Sequence, residues 1–307
     1  MITSVCMNPS FDKTVEVDSM TLGAVNRIRS VRRDMGGKGI NVAVVAHRLG
    51  LGCRCIGCMG QDGADRLTAM LDAEGLEHAF VTVPGSVRTN MKIVSRDDRT
   101  VTEMNEPGAP LGPGDLDTFL RMAREKTRDA RYAVLTGSLP PECPQGTYRD
   151  LIRAMEGINC ILDAEGTELN LGAEAHPFLI KPNLHELETT LGLELRTLRA
   201  IRDAALIFLR QGVRHVVVSM GAMGAMYVGE EHTLFAPALR VEAHSTVGAG
   251  DAMVGGLLLG LEKERDMARA FRYGVAAGAA SVMTEGTQLI VPEDFERLLE
   301  QVKVQEV

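Results

Sequence analysis

The stretch HSTVGAGDAMVGGL occupies residues 244–257, and the interpretation of the whole chain starts from it. Gly248 and Gly250 let the backbone approach a ligand closely, and the small residues that follow are typical of the first turns of a helix. A helix N-terminus carries unpaired N–H groups and partial positive charge, so it attracts phosphate. Asp251 is itself anionic, which makes it a poor phosphate ligand but a suitable base for a hydroxyl that attacks phosphorus. The alternative is an ordinary helix start in which Asp251 is only a cap.

The length, composition and net charge limit the classes of protein to which this chain can belong. A chain of 307 residues with 45% hydrophobic and 24% charged residues can form one large α/β domain, or one domain with an appendage. The net charge of −8 argues against nucleic acid or an anionic membrane as the main partner. We find no signal-like segment and no apolar run of about 18 residues, so we expect a cytoplasmic protein without a membrane span.

Three of the cysteines, Cys53, Cys55 and Cys58, have a spacing that could suggest a metal site. They lie in an apolar, strand-like run with no matching His or Cys cluster nearby. Buried, reduced thiols are therefore the favoured interpretation.

Short β-branched runs alternate with helical patterns along most of the chain. The predicted strands are Ile2–Met7, Cys53–Met59, Tyr132–Thr136, Cys160–Asp163, Phe178–Ile180 and Val216–Met220, and the clearest predicted helices are Gly39–Leu49 and Asp62–Glu74. This order predicts a doubly wound, mostly parallel α/β sheet with helices on both faces. Such sheets bind ligands at the carboxyl ends of their strands.

Two segments interrupt this alternation, at about residues 13–34 and 87–104. Both contain alternating β-type residues without a helix between them, which predicts a small separate β-sheet that forms a lid over the ligand site. An exposed lid would need its apolar face covered, so we expect a homodimer through the lid. Because the sequence has no linker-like segment, we expect a single domain over residues 1–307.

Two polar motifs follow the first predicted strand. GGKGIN, at residues 36–41, combines glycines with Lys38 and Asn41, and it is either a ligand-binding loop or a glycine turn with a solvated lysine. It differs from a P-loop, which needs GxxxxGK followed by Ser or Thr. NPSFD, at residues 8–12, ends in Asp12, which either accepts hydrogen bonds from sugar hydroxyls or stabilises a turn.

In RTNMK, at residues 88–92, alternation places Arg88, Asn90 and Lys92 on one face of a strand. This face is either a polar outer surface or a set of side chains that reaches over a phosphorylated ligand.

Three further motifs follow predicted strands. In KPNLHE, at residues 181–186, Glu186 could organise magnesium through water, and Asn183 with Glu186 also reads as a capping box. SMGAMG, at residues 219–224, either seats a nucleotide phosphate on small residues or is a hairpin turn. TGSLP, at residues 136–140, would line the same crevice.

GGKGIN and STVGAGD together resemble the two signatures of the ribokinase-like, or PfkB, carbohydrate kinase family. NPSFD, GGKGINVA, TGSLP, KPNLHEL and STVGAGDAMVGG are most similar to its 1-phosphofructokinase and tagatose-6-phosphate kinase branches. The resemblance extends from Met7 over nearly the whole chain. It implies a ribokinase-like α/β domain with a small β lid, and a kinase that uses ATP and Mg²⁺.

The resemblance implies transfer of a phosphoryl group from ATP to the 6-hydroxyl of fructose 1-phosphate. The segment Glu103–Gly108 resembles the fructose branch, whereas a tagatose-6-phosphate kinase is the nearest alternative. A sugar-phosphate sensor without activity is an alternative from another class. Retention of Asp251 speaks against it, because a sensor needs no base.

The resemblance also implies roles for individual residues. Asp251 would be the base, with the anion hole formed by the backbone N–H groups of Gly248, Ala249 and Gly250. The implied sugar-binding residues are Asp12, Gly37, Lys38, Asn41, Arg88, Asn90 and Ser138, of which Arg88 and Lys38 would hold the phosphate of the substrate. The implied residues for ATP and Mg²⁺ are Lys181, Asn183, Glu186, Ser219, Gly221 and Gly224, with Glu186 holding Mg²⁺ through water.

Overall fold

The structure is a computed structural model that describes residues 1–284 and 288–307. The strands of the described residues are β1 (Ile2–Cys6), β2 (Ser10–Val17), β3 (Ser30–Gly36), β4 (Cys53–Asp62), β5 (Glu77–Ser86), β6 (Arg88–Ser95), β7 (Thr100–Asn105), β8 (Tyr132–Thr136), β9 (Asn159–Asp163), β10 (Leu179–Ile180), β11 (His215–Ser219), β12 (Ala225–Val228), β13 (Thr233–Ala236) and β14 (Gln305–Glu306). Their helices are α1 (Lys38–Arg48), α2 (Ala64–Glu74), α3 (Asp115–Lys126), α4 (Thr147–Ala154), α5 (Gly166–Ala173), α6 (Leu184–Leu191), α7 (Leu198–Arg210), α8 (Ala249–Glu264), α9 (Met267–Val282) and α10 (Pro292–Leu299).

The larger sheet has the strand order β14-β13-β12-β11-β10-β9-β8-β1-β4-β5. Neighbouring strands from β11 to β5 run parallel, and β12, β13 and β14 extend the sheet in antiparallel orientation. The strand order reverses at β1, which lies between β4 and β8, so a crevice opens there at the carboxyl ends of the strands. The predicted doubly wound, mostly parallel sheet is confirmed.

Helices cover both faces of this sheet. In β8, Tyr132 and Val134 pack in the core that contains α1, α2, α8, α9 and α10, whereas Ala133 and Leu135 pack in the core that contains α3 to α7. All residues of β1 and β8 are buried. Burial on both faces explains why Tyr132–Leu135 in β8 is a continuous apolar run rather than an alternating one.

The second sheet, which we call the lid sheet, has the order β3-β2-β6-β7. Its central pair β2–β6 is parallel, and both outer pairs are antiparallel. Val15 lies opposite Val31 and Ile93, so these residues share one face, which we call the apolar face. Asp12 lies opposite Asp34 and Asn90 on the other, polar face. The predicted separate small sheet is confirmed, and its two faces differ in chemistry.

Most observed elements start and end within about two residues of the predicted ones, but β4 ends at Asp62 instead of the predicted Met59. The helix predicted to begin at Asp62 begins at Ala64, because β4 continues to Asp62 and Gly63 adopts a left-handed φ of 92°. Strand β5 was not predicted; it is an edge strand with Pro84 and Gly85 near its end, which weakens a strand pattern. Among the described residues, no helix combines the length and the apolar character needed to cross a membrane.

Helix α8 is buried along most of its length, from Asp251 to Leu261. Its glycines permit close packing, because a Cβ on Gly256 would overlap the carbonyl oxygen of Tyr273 in α9, and one on Gly255 would overlap Val45 in α1. The sequence after the GAGD motif is thus glycine-rich because two helices pack against it at short distance. This packing fixes the start of α8 relative to α1 and the central sheet.

Candidate active site

Asp251 lies in the first turn of α8 and is only 5% exposed. The residue before the helix is Gly248, whose φ of 80° is left-handed, and no side chain caps this end. Asp251 instead accepts a hydrogen bond of 2.8 Å on Oδ2 from Nδ2 of Asn41 in α1. The capping interpretation of Asp251 is therefore wrong, since its carboxylate is held by a residue 210 positions away in the sequence.

The surroundings of Asp251 change its acidity. Burial raises its pKa to about 7, and the carboxylate of Asp163 adds to this effect, whereas Lys38, the Asn41 hydrogen bond and Lys181 oppose it. A carboxyl group with a pKa near neutrality combines a useful ionised fraction with the basicity needed to take a proton from a hydroxyl. The geometry and the acidity of Asp251 both suit a general base.

Two asparagine side chains carry buried oxygen atoms without a donor. An ionised carboxylate only accepts hydrogen bonds, so Asn41 must turn its Nδ2 toward Asp251, and Asn90 must turn its Nδ2 toward Asp12. The Oδ1 atoms of Asn41 and Asn90 are then buried without a partner among the described residues. A buried acceptor without a donor is costly, and the hydroxyl groups of a sugar would satisfy both.

Asp12 lies on the polar face of the lid sheet, and three side chains donate hydrogen bonds to its carboxylate. Ser10 Oγ and Asn90 Nδ2 donate to its Oδ1 at 3.0 and 3.1 Å, and Lys92 Nζ lies 3.3 Å from its Oδ2. A Cβ on Gly36 would overlap this carboxylate, so the residue before Gly37 must be a glycine. Gly36 ends β3 and comes just before α1, so its contact with Asp12 brings the polar face of the lid sheet beside the start of α1.

Arg88 and Ser138 meet at Asn8, which follows β1. Arg88 donates through Nε to the carbonyl oxygen of Asn8 at 3.1 Å and through Nη1 to that of Glu106 at 3.3 Å. Asn8 Nδ2 lies 3.5 Å from Ser138 Oγ and 3.0 Å from the carbonyl oxygen of Pro107. Asn8 was not predicted as a site residue, although the NPSFD motif contains it; it ties the lid sheet to the edge of the large sheet.

Asp163 was not predicted as a site residue from the sequence. It lies among the charged side chains of the site, near Lys181, Lys38 and Asp251. It ends β9, accepts a hydrogen bond of 3.1 Å from Thr136 Oγ1, and pairs with Lys181 Nζ at 3.1 Å. Burial alone would raise the pKa of Asp163, but Lys181 and Lys38 outweigh burial and keep its pKa below the ordinary value. An acidic residue at the end of an otherwise apolar strand was the available signal in the sequence.

Lys181 is 3% exposed and connects Asp163 with the start of α8. A Cβ on Gly250 would lie 3.2 Å from Lys181 Nζ, so the ammonium lies against the backbone of the GAGD turn. A larger residue at this position would require the lysine to shift by a few tenths of an ångström. Lys181 thus adds positive charge to the site that the N–H groups of α8 already favour for anions.

Lys38 is the first residue of α1, which follows the lid strand β3. Its Nζ is 3.8 Å from Glu186 Oε1, and it packs beside Gly137 at the end of β8. Its pKa is raised above the ordinary value by Asp163, Asp251 and Glu186, although burial acts in the opposite direction. Lys38 also lines a cavity of about 350 Å³ together with Gly137, Ser138, Leu139, Pro140, Pro141, Glu142, Cys143, Gln145, Ala164, Glu165 and Glu168.

The remaining predicted residues lie along the same edge of the large sheet. Asn183 caps α6 and forms the predicted capping box with Glu186, and it pairs with Ser219 through a backbone bridge. Gly221 begins a short 3-10 turn, and Gly224 has a φ of 109° where a Cβ would overlap the backbone at Ala236. This segment joins antiparallel β11 and β12, so it is a hairpin connection.

The carboxylates do not form a closed metal site. Among the described residues, no group of three or more His, Cys, Asp or Glu side chains is arranged to hold a metal ion. Glu186 is partly engaged, since Oε2 accepts from the backbone N–H of Asn183 at 2.8 Å and Oε1 faces Lys38. Mg²⁺ keeps several waters and binds through one or two carboxylates plus nucleotide phosphates. The carboxylate of Glu186 fits this kind of Mg²⁺ binding. The cysteines are free thiols, and all are buried except the half-buried Cys143.

Comparison with known proteins gives consistent results. Residues 6–294 match the pfkB family carbohydrate kinases. The chain is 38% identical to the 1-phosphofructokinase of Rhodobacter capsulatus, covering 99% of this chain and 97% of that one. It is 34% identical to the 1-phosphofructokinase of Bacillus subtilis (strain 168), covering 99% of both chains. The crystal structure of phosphofructokinase-2 from Escherichia coli in complex with potassium matches with a TM-score of 0.92 and 29% identity, covering 98% of each chain.

Proposed function

The chain belongs to the pfkB family of carbohydrate kinases, and on that premise we propose that it phosphorylates fructose 1-phosphate at the 6-hydroxyl to give fructose 1,6-bisphosphate. The phosphoryl donor would be the γ-phosphate of ATP. The choice of substrate rests on the relatives that span the full chain and are named 1-phosphofructokinases.

The observation that carries the proposal is Asp251, buried at the start of α8, oriented by Asn41, and with a pKa of about 7. Its carboxylate would take the proton of the 6-hydroxyl as O6 forms a bond to the γ-phosphorus and the bond to the bridging oxygen of ADP breaks. The backbone N–H groups of Gly248, Ala249 and Gly250 would bind the equatorial oxygens, where charge accumulates. Lys181, beside Gly250, would support the same charge.

The sugar would bind between the lid sheet and the end of β1. The buried Oδ1 atoms of Asn41 and Asn90 would accept hydrogen bonds from its hydroxyls, and Asp12 and Ser138 would add further partners. Arg88 is the candidate for the phosphate that the substrate already carries, because a guanidinium suits bidentate binding of phosphate. Lys38 and the backbone at Gly37 lie between this sugar site and the nucleotide side.

The nucleotide would lie along β11 and the start of α6. Ser219, Gly221 and Gly224 would leave room for it, and Asn183 would contact its phosphates. Mg²⁺ would arrive with the nucleotide and be held through water by Glu186, where it would neutralise charge on the phosphate oxygens. A donor of ATP type and reduced buried thiols support a cytoplasmic location.

The test is ATP-dependent phosphorylation of fructose 1-phosphate, tagatose 6-phosphate, fructose 6-phosphate and free fructose, compared by kcat/KM. We expect fructose 1-phosphate to be preferred by about tenfold or more, which corresponds to about 1.4 kcal/mol in the transition state. Preference for tagatose 6-phosphate would keep the kinase and replace the substrate. Absence of turnover with all four would refute a kinase and support a sensor.

We further propose a homodimer through the apolar face of the lid sheet and the loop beside it. Val31 and Met104 lie on this face and are 44% and 52% exposed, and Leu22 and Val25 in the loop between β2 and β3 are 87% and 88% exposed. Exposed apolar patches of this kind mark protein contacts. A second copy would cover them while the polar faces remain turned to the sugar sites.

A further inference from the structure

Lys92, on β6, is a buried cation whose donors are not fully used. Its side chain is 9% exposed, and Nζ donates to Asp12 Oδ2 at 3.3 Å. No second acceptor contacts this ammonium within residues 1–284 and 288–307. An ammonium has three N–H donors, and burying them without acceptors is costly. Two N–H groups of Lys92 are therefore available to a ligand at the polar face of the lid sheet.

The partner of Lys92 already has its hydrogen bonds. Asp12 accepts from Ser10 and Asn90 on Oδ1 and from Lys92 on Oδ2. Its side chain is 7% exposed, so the negative charge is poorly screened by water. Without Lys92, this carboxylate would repel any anionic ligand bound beside it. With Lys92, the pair is close to neutral.

The positive charge of Lys38 does not replace that of Lys92. Lys38 Nζ lies 3.8 Å from Glu186 Oε1, and the carboxylates of Asp163 and Asp251 also act on it, so these acidic groups offset its charge. Three cations share the polar face of the lid sheet with Asp12: Arg32 on β3, and Arg88 and Lys92 on β6. Arg32 donates to Asp34 at 2.8 Å, so Arg88 and Lys92 are the two that lie on the strand next to Asp12.

We infer that Lys92 is a substrate-binding residue that makes the lid side of the site accept a sugar already carrying a phosphate. Its charge offsets Asp12, and its remaining N–H groups bind oxygen atoms of the anionic sugar. This inference rests on the proposed function, since it names the residue that selects phosphorylated over neutral sugars.

The test compares Lys92→Met with Lys13→Met in the full-length protein. Lys13 is next to Asp12 on β2 but lies on the opposite face, opposite Arg33 and Met91, so its replacement removes the same charge from the same sheet. Titration calorimetry gives Kd for fructose 1-phosphate, tagatose 6-phosphate and ATP, and kinetics give KM for the same ligands. Because calorimetry needs no turnover, the result does not depend on which sugar phosphate is phosphorylated.

For Lys92→Met we expect Kd and KM for the preferred sugar phosphate to rise about thirtyfold or more, with changes of less than about threefold for ATP and for Lys13→Met. We expect Lys92→Arg to recover part of the affinity. If Lys92→Met does not fold, Lys92→Gln, which keeps donors without the charge, decides by the same measurements.

A folded Lys92→Met or Lys92→Gln protein that binds the sugar phosphate within about threefold of wild type would overturn the inference. Equal losses for ATP and the sugar phosphate would overturn it too, because they would indicate a general structural role. A wild-type protein that turns over neither sugar phosphate refutes the proposed function instead, which keeps the two failures distinguishable.

Discussion

Asp251 was predicted as a site residue from the sequence, but only its surroundings in the structure explain its acidity. The GAGD motif indicated an aspartate beside an anion site. The structure adds the buried position, the hydrogen bond from Asn41 and the charges of Asp163, Lys38 and Lys181. Burial raises the pKa of the carboxyl group to about 7 and Asp163 adds to this effect, while Lys38, Asn41 and Lys181 limit the rise.

We expect Asp251→Asn to lower kcat by about 10²–10⁴-fold with little change in KM, because it removes the base and keeps the shape of the site. In the wild type, kcat/KM should rise with pH through about 7, since the base must be ionised and its pKa is about 7. Steady-state kinetics between pH 5.5 and about 8.5 measure both effects. Near-normal kcat in the variant would show that Asp251 is not the base.

The same burial predicts a pH-dependent change in stability. The folded pKa of about 7 lies above the ordinary value of 3.8, so the stability from this group is fully present at low pH and is lost as pH rises through 7. Asparagine does not titrate. We therefore expect the stability of Asp251→Asn relative to wild type to increase by about 1–3 kcal/mol between pH 5 and pH 8, measured by urea unfolding.

The control for this measurement is Asp117→Asn, which changes an exposed carboxylate on α3. We expect no comparable gain over the same pH range. A parallel pH dependence of wild type and Asp251→Asn would contradict the raised pKa of Asp251.

At the scale of elements, the start of α8 is fixed by glycines that let helices pack closely. Gly256 faces the backbone of Tyr273, and Gly260 faces Ala270, both in α9. The sequence showed Gly256 as part of a motif, but both glycines are explained by a helix–helix contact. The contact matters for the candidate site because the GAGD turn, the proposed anion-binding turn, lies at the start of α8.

We expect Gly256→Ala to reduce the free energy of unfolding by about 1–3 kcal/mol, because the added methyl group overlaps the carbonyl oxygen of Tyr273. Gly278→Ala, in α9, is the matched control, since its Cβ would make ordinary contacts beginning at 3.4 Å. That change should be neutral or stabilise by up to about 1 kcal/mol through helix propensity. Urea unfolding compares the two, and equal effects would rule out the packing explanation.

At the scale of the whole molecule, the two faces of the lid sheet carry different kinds of side chain. Its polar face carries Asp12, Asn90 and Lys92 toward the site, and its apolar face carries Val31 and Met104, which are exposed in the single chain. In the proposed dimer this division would relate ligand binding to assembly, because the same strands would serve both. The assembly state is therefore best tested at the apolar face.

We expect the wild type to sediment as a dimer and Val31→Asp to shift it toward monomer, because a buried, unpaired carboxylate opposes association. Leu193→Asp, at a similarly exposed position of 45% away from the lid sheet, should leave the dimer intact. Sedimentation velocity over a concentration series measures both. A monomeric wild type, or a dimer that tolerates Val31→Asp, would refute assembly through this face.

The sequence by itself determined the class of fold and the existence of the lid sheet, and it predicted that ligands bind at the carboxyl ends of the strands. These follow from local patterns: continuous apolar runs for strands buried on both faces, helical spacing between them, and glycines where backbone conformation or close approach requires them. The single domain over residues 1–307 and the assigned roles of the site residues stay predictions, to be tested by the experiments above.

Only the tertiary structure decided how the site residues act on one another. It placed Asn41 against Asp251, Asp163 between Thr136 and Lys181, and Lys92 against Asp12. These pairs join residues far apart in the chain, and no local period encodes them. Charge interactions and burial depend on distances in space, so the acidity of Asp251 and the neutrality of the Asp12–Lys92 pair arise only once the chain has folded.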